Sequence, residues 1–457
     1  MESFLILIKR QLSLFLNKYF FGCVVVSFFA IVSPKVFSFN IANSKEAPVA
    51  LSTKISTNMK SAKPEVIVAA ERFSRYLPLL KNKRVGLVVN QTSMVRDVHL
   101  VDVLLEKGVD IQMIFAPEHG FRGELDAGET FDNQIDSKTG TAIYSIYGKR
   151  KKPDFKVMQK LDVVLFDIQD VGVRFYTYIS SMHYMMEVSA DANLSFIVLD
   201  RPNPNGMYID GPVLTPKLTP EFTSFVGMHN IPLVHGLTVG ELALMINGEG
   251  WLDTQKALDL TVIKNKHYSH ATSYHLPVKP SPNLPNQLSI LLYSSLGFFE
   301  ATPVSIGRGT NFPFQVIGHN EVSIGNFEFT PVSMPGSALK PKLMGKKLTG
   351  QNLAEQKQVV HKTAVAKTGL DLSYLIAWHK AFEKEGKEFF DRPDFMDKLS
   401  GTDKLRKSIL ANQTEIEIRQ QWLQPLRDYL QRRKAYLLYP DVKYYFEVIE
   451  KRNERIK

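Results

Sequence analysis

The chain has 457 residues, 44% of them hydrophobic and 22% charged. That composition excludes a collagen-like, low-complexity or disordered chain and supplies ample apolar material for a core. A net charge of +10 favours anionic partners, but the basic residues are not interleaved with aromatics as in a stacking groove, so no nucleic-acid partner is expected. One cysteine, Cys23, excludes a disulfide framework.

Lys9, Arg10 and Lys18 precede an uncharged apolar run over 19–32, followed by a small residue, Ala42, and then polar chain. A positive segment ahead of a short apolar one is the pattern of an export signal. An uncleaved N-terminal anchor is the alternative, and it is the only membrane contact expected. On either reading residues 1–42 place the protein outside the cytoplasm, periplasmic or associated with the cell envelope. Cys23 is followed by Val24-Val25-Val26, where a lipidated mature end would turn polar, so no lipid anchor is expected. Residues 43–82 read as a linker and lead-in.

From residue 83 the pattern becomes strand–helix alternation. Residues 85–89, 111–115, 163–166 and 196–199 are short apolar runs of the kind buried on both faces of a parallel sheet. Between the first two, Asp97 is placed to cap a helix carrying Val98, Val101, Leu104 and Leu105, with Gly108 as its stop. A helix is expected near 178–192. Thr238 and Glu241 have capping-box spacing for another, closed by Gly248 and Gly250. The fold class is therefore α/β, with an open, mostly parallel, doubly wound sheet over 83–265. A smaller α+β domain is expected over 266–457. It includes a proline-rich stretch at 275–285 and a helical tail over 402–439 anchored by Ile409, Ile416, Trp422, Leu426 and Leu430.

Ligands of open parallel sheets bind at the carboxyl ends of the strands. Each expected strand runs straight into a polar cluster: Asn90-Gln91-Thr92-Ser93, Pro117-Glu118-His119-Gly120 with Arg122 and Glu124, Asp167 with Gln169, Asp170 and Arg174, and Asp200-Arg201-Pro202-Asn203. One shared polar cleft is the expectation. Asn90–Ser93 taken alone is equally an ordinary turn, Asp200-Arg201 equally a structural ion pair, and the basic run 149–152 a solvated loop. No dinucleotide fingerprint, Walker motif or nucleophile elbow is present, and the sequence calls for no cofactor. His119, Asp167, Asp170, His183 and His235 are conceivable metal ligands but lack His-Glu-x-x-His spacing. Carboxylate acid–base chemistry remains, with Glu118, Glu124, Asp167 and Asp170 as the acids and Phe115 and Phe121 as a dry wall near Glu118. Cleavage of a glycoside needs such a proton donor at the leaving oxygen.

Ala116-Pro117-Glu118-His119-Gly120-Phe121-Arg122-Gly123, the run from Phe166 through Asp170, Arg174 and Tyr176 to Tyr178, Asp200-Arg201-Pro202-Asn203-Pro204, Gly307-Arg308-Gly309-Thr310 and Tyr436-Leu437-Leu438-Tyr439-Pro440 occur in that order. Together they resemble the exo-β-N-acetylmuramidases, formerly a domain of unknown function. The resemblance spans about residues 83–440. It implies a Rossmann-like domain, a smaller second domain, and a cleft between them that removes N-acetylmuramic acid from the non-reducing ends of peptidoglycan fragments. Muramyl sugars are thus the implied partner.

Carried over by motif, Glu118 is the leading catalytic carboxyl with His119 beside it, and Glu124, Asp170 and Tyr176 are its companions. Asn90, Arg122, Gln169, Arg174, Tyr178, Asn203, Arg308 and Thr310 are the candidate substrate-binding residues. Arg308, framed by two glycines, is the preferred partner for the lactyl carboxylate, since arginine holds carboxylates bidentately. Phe314, Tyr176 or Tyr178 are candidates to stack on the sugar. Ala301 and Asn412 stand where the family has glycine. A non-catalytic wall-sugar binder and a metal-dependent hydrolase are the competing readings.

Overall fold

Val85-Gly86-Leu87-Val88-Val89 contains no polar side chain, so it is stable only with both faces covered. It forms the central strand β1 (Val85–Val89), every residue buried. In the computed structural model, which describes residues 64–122, 133–355 and 369–442, six more strands extend this sheet. They are β2 (Ile111–Ala116), β3 (Gln134–Ile135), β4 (Ala142–Ser145), β5 (Val163–Asp167), β6 (Ser195–Leu199) and β7 (Asp259–Ile263). The expected export segment, Cys23, residues 43–63 and Glu124 lie outside the described residues. Among the described residues no helix is long and apolar enough to cross a membrane.

The sheet order is β7-β6-β5-β1-β2-β4-β3, parallel throughout except for β3, which runs antiparallel to β4. The chain builds outward from β1 through β2 to β4, then crosses back to lay β5, β6 and β7 on the other side. This reversal opens a crevice at the carboxyl ends of β1, β2 and β5. Strand alternation divides the core in two. Val88, Phe115, Val164, Phe166 and Phe196 face one layer, while Leu87, Val89, Ile114, Leu165 and Ile197 face the other. Each such side chain, once buried, contributes on the order of 1.5–3 kcal/mol.

The helix after β1 begins later than its sequence suggests. Met94–Val95 and Val98–His99 pair as a tiny antiparallel ribbon, which pulls Asp97 into the turn. The helix is Leu100–Glu106, and His99 caps it by accepting from the Val101 amide at 3.3 Å. The Thr238–Glu241 capping box forms as expected, with both reciprocal bonds in place at the head of the helix Val239–Gly248. The helix Tyr178–Asp191 follows β5.

Beyond the sheet come a three-stranded antiparallel sheet of Val316–His319, Leu348–Asn352 and Phe327–Phe329, in that spatial order, and five short helices from Ser373 to Arg433. Ile409, Trp422, Leu426 and Leu430 are buried as expected. Ile416 is not: it is 56% exposed, and Ile418, two positions on in the helix Glu415–Gln420, takes the inward position. Asn412 sits at φ 54°, a conformation that glycine adopts without strain, and its amide bonds the Glu383 carboxylate.

The C-terminal segment is tied to the sheet by a buried carboxyl. Asp200 accepts from the Gly240 amide at 2.8 Å and from the Tyr439 hydroxyl at 2.6 Å. Burial pushes Asp200 up to about 7. A folded-state value above the unfolded one means the folded protein holds this proton more tightly, so stability falls as pH rises from about 4 through about 7. Asp200→Asn removes that dependence. Its destabilisation in urea unfolding is expected to be about 2–3 kcal/mol larger at about pH 5 than at about pH 8; an identical cost at both would contradict the assignment.

Candidate active site

The loop after β2 carries Glu118. Its carboxyl is bracketed by two hydroxyls: Tyr147 donates to Oε1 at 2.8 Å and Thr177 to Oε2 at 3.3 Å. Tyr178 donates to the Glu118 main-chain carbonyl at 3.2 Å, fixing the loop itself. Glu118 is thus held by the segments that follow β4 and β5, on either side of the strand that bears it.

His119 adopts φ 69°, a left-handed conformation uncommon for a residue with a side chain, beside Gly120 at φ 75°. This turn places the buried imidazole of His119 against Ser281 Oγ at 3.4 Å. Ser281 belongs to the proline-rich stretch, which Tyr176 also holds by donating to the Pro280 carbonyl at 2.6 Å.

Glu118 and His119 form one wall of a half-open cleft whose empty space, counting the part open to solvent, is about 470 Å³. Phe175, Tyr176, Thr177 and Tyr178 form a second side, and Ser281, Asn283, Leu284, Tyr293, Arg308 and Phe314 complete it. Glu118 is the one carboxylate among the described residues of this lining. Burial pushes the hydroxyls of Tyr176, Tyr178 and Tyr293 well above the usual tyrosine range, and burial with the adjacent Glu118 does the same to Tyr147. All four stay protonated at neutral pH, as neutral hydrogen-bond donors.

Arg308 shares this lining. Gly307 (φ 83°) makes its turn possible, because a Cβ there would lie 2.4 Å from the Phe312 carbonyl oxygen. Arg308 Nε donates to Glu300 Oε1 at 2.7 Å, and the guanidinium lies 5.1 Å from the centre of the Phe314 ring. Burial alone would lower its affinity for a proton, but Glu300 outweighs that and the net shift is upward. Glu300 in turn is held below the usual carboxylate range: burial opposes this, while Arg308 and Lys342 enforce it. The result is a fixed cation whose terminal nitrogens make no hydrogen bond to other described residues.

Of the candidate residues, the cavity brings together Glu118, His119, Tyr176, Tyr178 and Arg308. The others serve behind it. Asn90 organises its own turn by accepting from Thr92 at 2.9 and 2.6 Å. Gln169 ties Asp170 to Pro202 by donating to both carbonyls. Asp170 accepts from the Gly172 amide at 2.8 Å, has His235 at 3.4 Å, and leaves one buried oxygen unsatisfied. Asn203 bonds Leu237 and packs against Gly172, where a Cβ would lie 2.4 Å from the Asn203 amide. Thr310 bonds the Gly307 carbonyl within its own turn. Arg122 pairs with Asp136 at 3.1 Å.

Arg174 is fully buried, its guanidinium spent on four main-chain carbonyls, and it has no face toward the cavity. Phe115 and Phe121 do not supply the dry wall either, since Phe121 packs edge-on to His99 and Phe115 against Tyr144. The tyrosines after β5 take that role. Arg201 forms a buried two-pronged ion pair with Asp167, at 2.5 and 2.7 Å, rather than with its neighbour Asp200. Among the described residues no group of three or more His, Cys, Asp or Glu is placed to hold a metal ion.

Tyr147, Thr177, Ser281 and Asn283 were not singled out from sequence. Tyr147 follows a strand too short and mixed to be recognised, and Ser281 and Asn283 flank a proline in a stretch that reads as plain loop.

Two family models match the chain in tandem. The N-terminal model of the exo-β-N-acetylmuramidase NamZ covers residues 85–288 and the C-terminal model residues 291–439. The chain is 38% identical over 405 residues to the peptidoglycan β-N-acetylmuramidase NamZ of Bacillus subtilis (strain 168), covering 84% of this chain and 94% of that protein. Two crystal structures of DUF1343 family proteins from Bacteroides fragilis are similar. One has a TM-score of 0.74 at 44% identity over 83% of this chain, the other 0.65 at 27% over 82%, and each is covered completely.

Proposed function

The chain belongs to the exo-β-N-acetylmuramidase NamZ family, and from that premise we propose that its cavity removes N-acetylmuramic acid from the non-reducing ends of peptidoglycan fragments, with Glu118 as the acid–base group. The observation that carries this reading is that Glu118 and a buried, paired cation, Arg308, line the same cavity. Protonated Glu118 gives its proton to the glycosidic oxygen as the bond to the anomeric carbon breaks. The carboxylate then takes a proton from the water that completes hydrolysis. Tyr147 and Thr177 keep a hydroxyl dipole on each oxygen and so position the carboxyl in both states.

Muramic acid differs from glucosamine by a lactyl ether that ends in a carboxylate. Arg308, with Nε committed to Glu300, offers its terminal nitrogens to that group, and Phe314 and Tyr293 wall the sugar. The direct test is release of free N-acetylmuramic acid from its β-linked disaccharide with N-acetylglucosamine. Arg308→Gln is expected to lower kcat/KM on a chromogenic N-acetylmuramide by about 10- to 100-fold, the worth of a charge-assisted pair. The matching N-acetylglucosaminide, which lacks the carboxylate, should change far less. Equal losses on both would remove Arg308 from the recognition of muramic acid.

Residues 1–42 support the further proposal that the enzyme works outside the cytoplasm, in the periplasm or cell envelope. Recovery of the protein only in a cytoplasmic fraction would contradict it.

A further inference from the structure

Glu118 is held from its outer side by Tyr147, a residue that does not line the cavity. The chain leaving Tyr147 is the basic run Lys149-Arg150-Lys151-Lys152, and it folds over two aromatic rings. Phe225 has its ring centre 6.3 Å from that of Tyr147, and Tyr184 has its own 6.2 Å from Phe225, in planes only 8° apart. Lys151 Nζ lies 4.6 Å from the centre of the Phe225 ring and Lys152 Nζ 5.0 Å from that of Tyr184. The strip is part-exposed and begins at Tyr147, the residue that bonds the Glu118 carboxyl.

Its foundations are rigid. Lys152 reaches Glu187 Oε2 at 2.5 Å, and Glu187 also bonds His183 at 2.9 Å and the Asp253 amide at 2.8 Å. Burial opposes ionisation of Glu187, yet these partners hold it down to about 2. Ser180 donates to the Phe225 carbonyl at 2.8 Å and fixes that ring's loop. Lys152 is therefore neutralised within the protein. Lys151 is not: it sits on an aromatic face with no carboxylate recorded beside it among the described residues, and Lys149 and Arg150 next to it are exposed.

We propose that Lys151, seated on Phe225, is an outer subsite for the carboxylate of a second muramyl unit in a longer glycan. The inference rests on the muramidase reading and extends it from a disaccharide to a chain. An exo-acting glycosidase must keep the terminal sugar in its hollow and let the rest of the chain leave past the acid. Tyr147, which bonds Glu118, and Phe225 beside it form an unbroken line of contacts from the acid to Lys151. The first unit out is a neutral N-acetylglucosamine. The next is again muramic acid, which brings a carboxylate from its lactyl group or from its stem peptide, within reach of an ammonium a few sugar lengths from the cleaved bond. A cation over an aromatic face holds its position without a counter-ion and is free to take one from a ligand.

The test compares Lys151→Glu with wild type on three substrates: the β-linked disaccharide, the peptide-free tetrasaccharide with two muramyl units, and the same tetrasaccharide bearing stem peptides. The wild type is expected to favour the tetrasaccharides in kcat/KM. The variant should lose that preference, by about tenfold for a reversed surface charge, with its disaccharide rate unchanged. Loss confined to the peptide-bearing chain assigns the subsite to peptide carboxylates; loss confined to the peptide-free chain assigns it to the lactyl carboxylate, which a stem peptide converts to an amide; loss on both assigns it to either carboxylate. No difference between variant and wild type on any substrate, or the same loss on all three, overturns the subsite. Failure of the wild type to cleave any of them overturns the muramidase reading along with it.

Discussion

Glu118→Gln is expected to lower kcat for release of N-acetylmuramic acid from the disaccharide by about 10³- to 10⁴-fold, with the melting temperature almost unmoved. The size is that of a lost general acid–base group, at the upper end because the same carboxyl serves both steps. The fold should survive because glutamine keeps the shape. Its oxygen can still accept from Tyr147, and its nitrogen can donate to Thr177, whose hydroxyl rotates to receive it. A second readout separates a lost acid from a disturbed site. A nitrophenyl muramide has a leaving group that departs with little protonation, so its loss should be markedly smaller than that of the disaccharide. Equal losses would mean that the substitution damaged binding or geometry, and full activity would remove Glu118 from the chemistry.

Arg174→Ala is expected to be the most destabilising single change near the site, costing about 3–5 kcal/mol in urea unfolding. The guanidinium donates to the carbonyls of Pro212, Ile231, Leu399 and Ser400 at 2.7, 2.9, 3.1 and 2.6 Å. Burial drags its proton affinity down to about 9, still charged at neutral pH. Alanine would strand four buried acceptors and leave a cavity the size of a long side chain, two of the recognised routes to a large loss. Lysine is no substitute, because a single ammonium does not span two pairs of carbonyls. Since Leu399 and Ser400 belong to the helical region while Arg174 lies in the loop after β5, activity should fall with stability. A loss of activity at full stability would point to a direct role in the cavity instead.

The strands of the sheet were legible because burial on both faces leaves a contiguous apolar run, and β1, β2, β5 and β6 appear within a residue or so of where those runs lie. The rim was legible for the same reason, since polarity returns where each strand ends. What composition could not show was which polar side chains face out of the rim. Gln169, Asn203 and Arg174 look like ligands in sequence but are consumed by main-chain groups, because loops that leave a buried sheet must satisfy their own amides and carbonyls first. Conversely, Tyr147 follows the short strand β4 and Ser281 lies in a proline-rich coil; neither segment carries a periodic signal, and only long-range folding brings them to Glu118 and His119. The helix cap at His99 was missed because a two-residue ribbon leaves no pattern of its own.

The hydroxyl that meets Asp200 arrives from Tyr439, 239 positions further along the chain. During synthesis, then, the strand that runs into Asp200 emerges long before the residue that completes its surroundings. Until that partner is made, an unfinished sheet must persist with a buried acid lacking one of its donors. Maturation is for this reason a late, whole-molecule event, slow to nucleate in proportion to the span of its contacts. Half-made molecules would be the natural targets of chaperones and proteases.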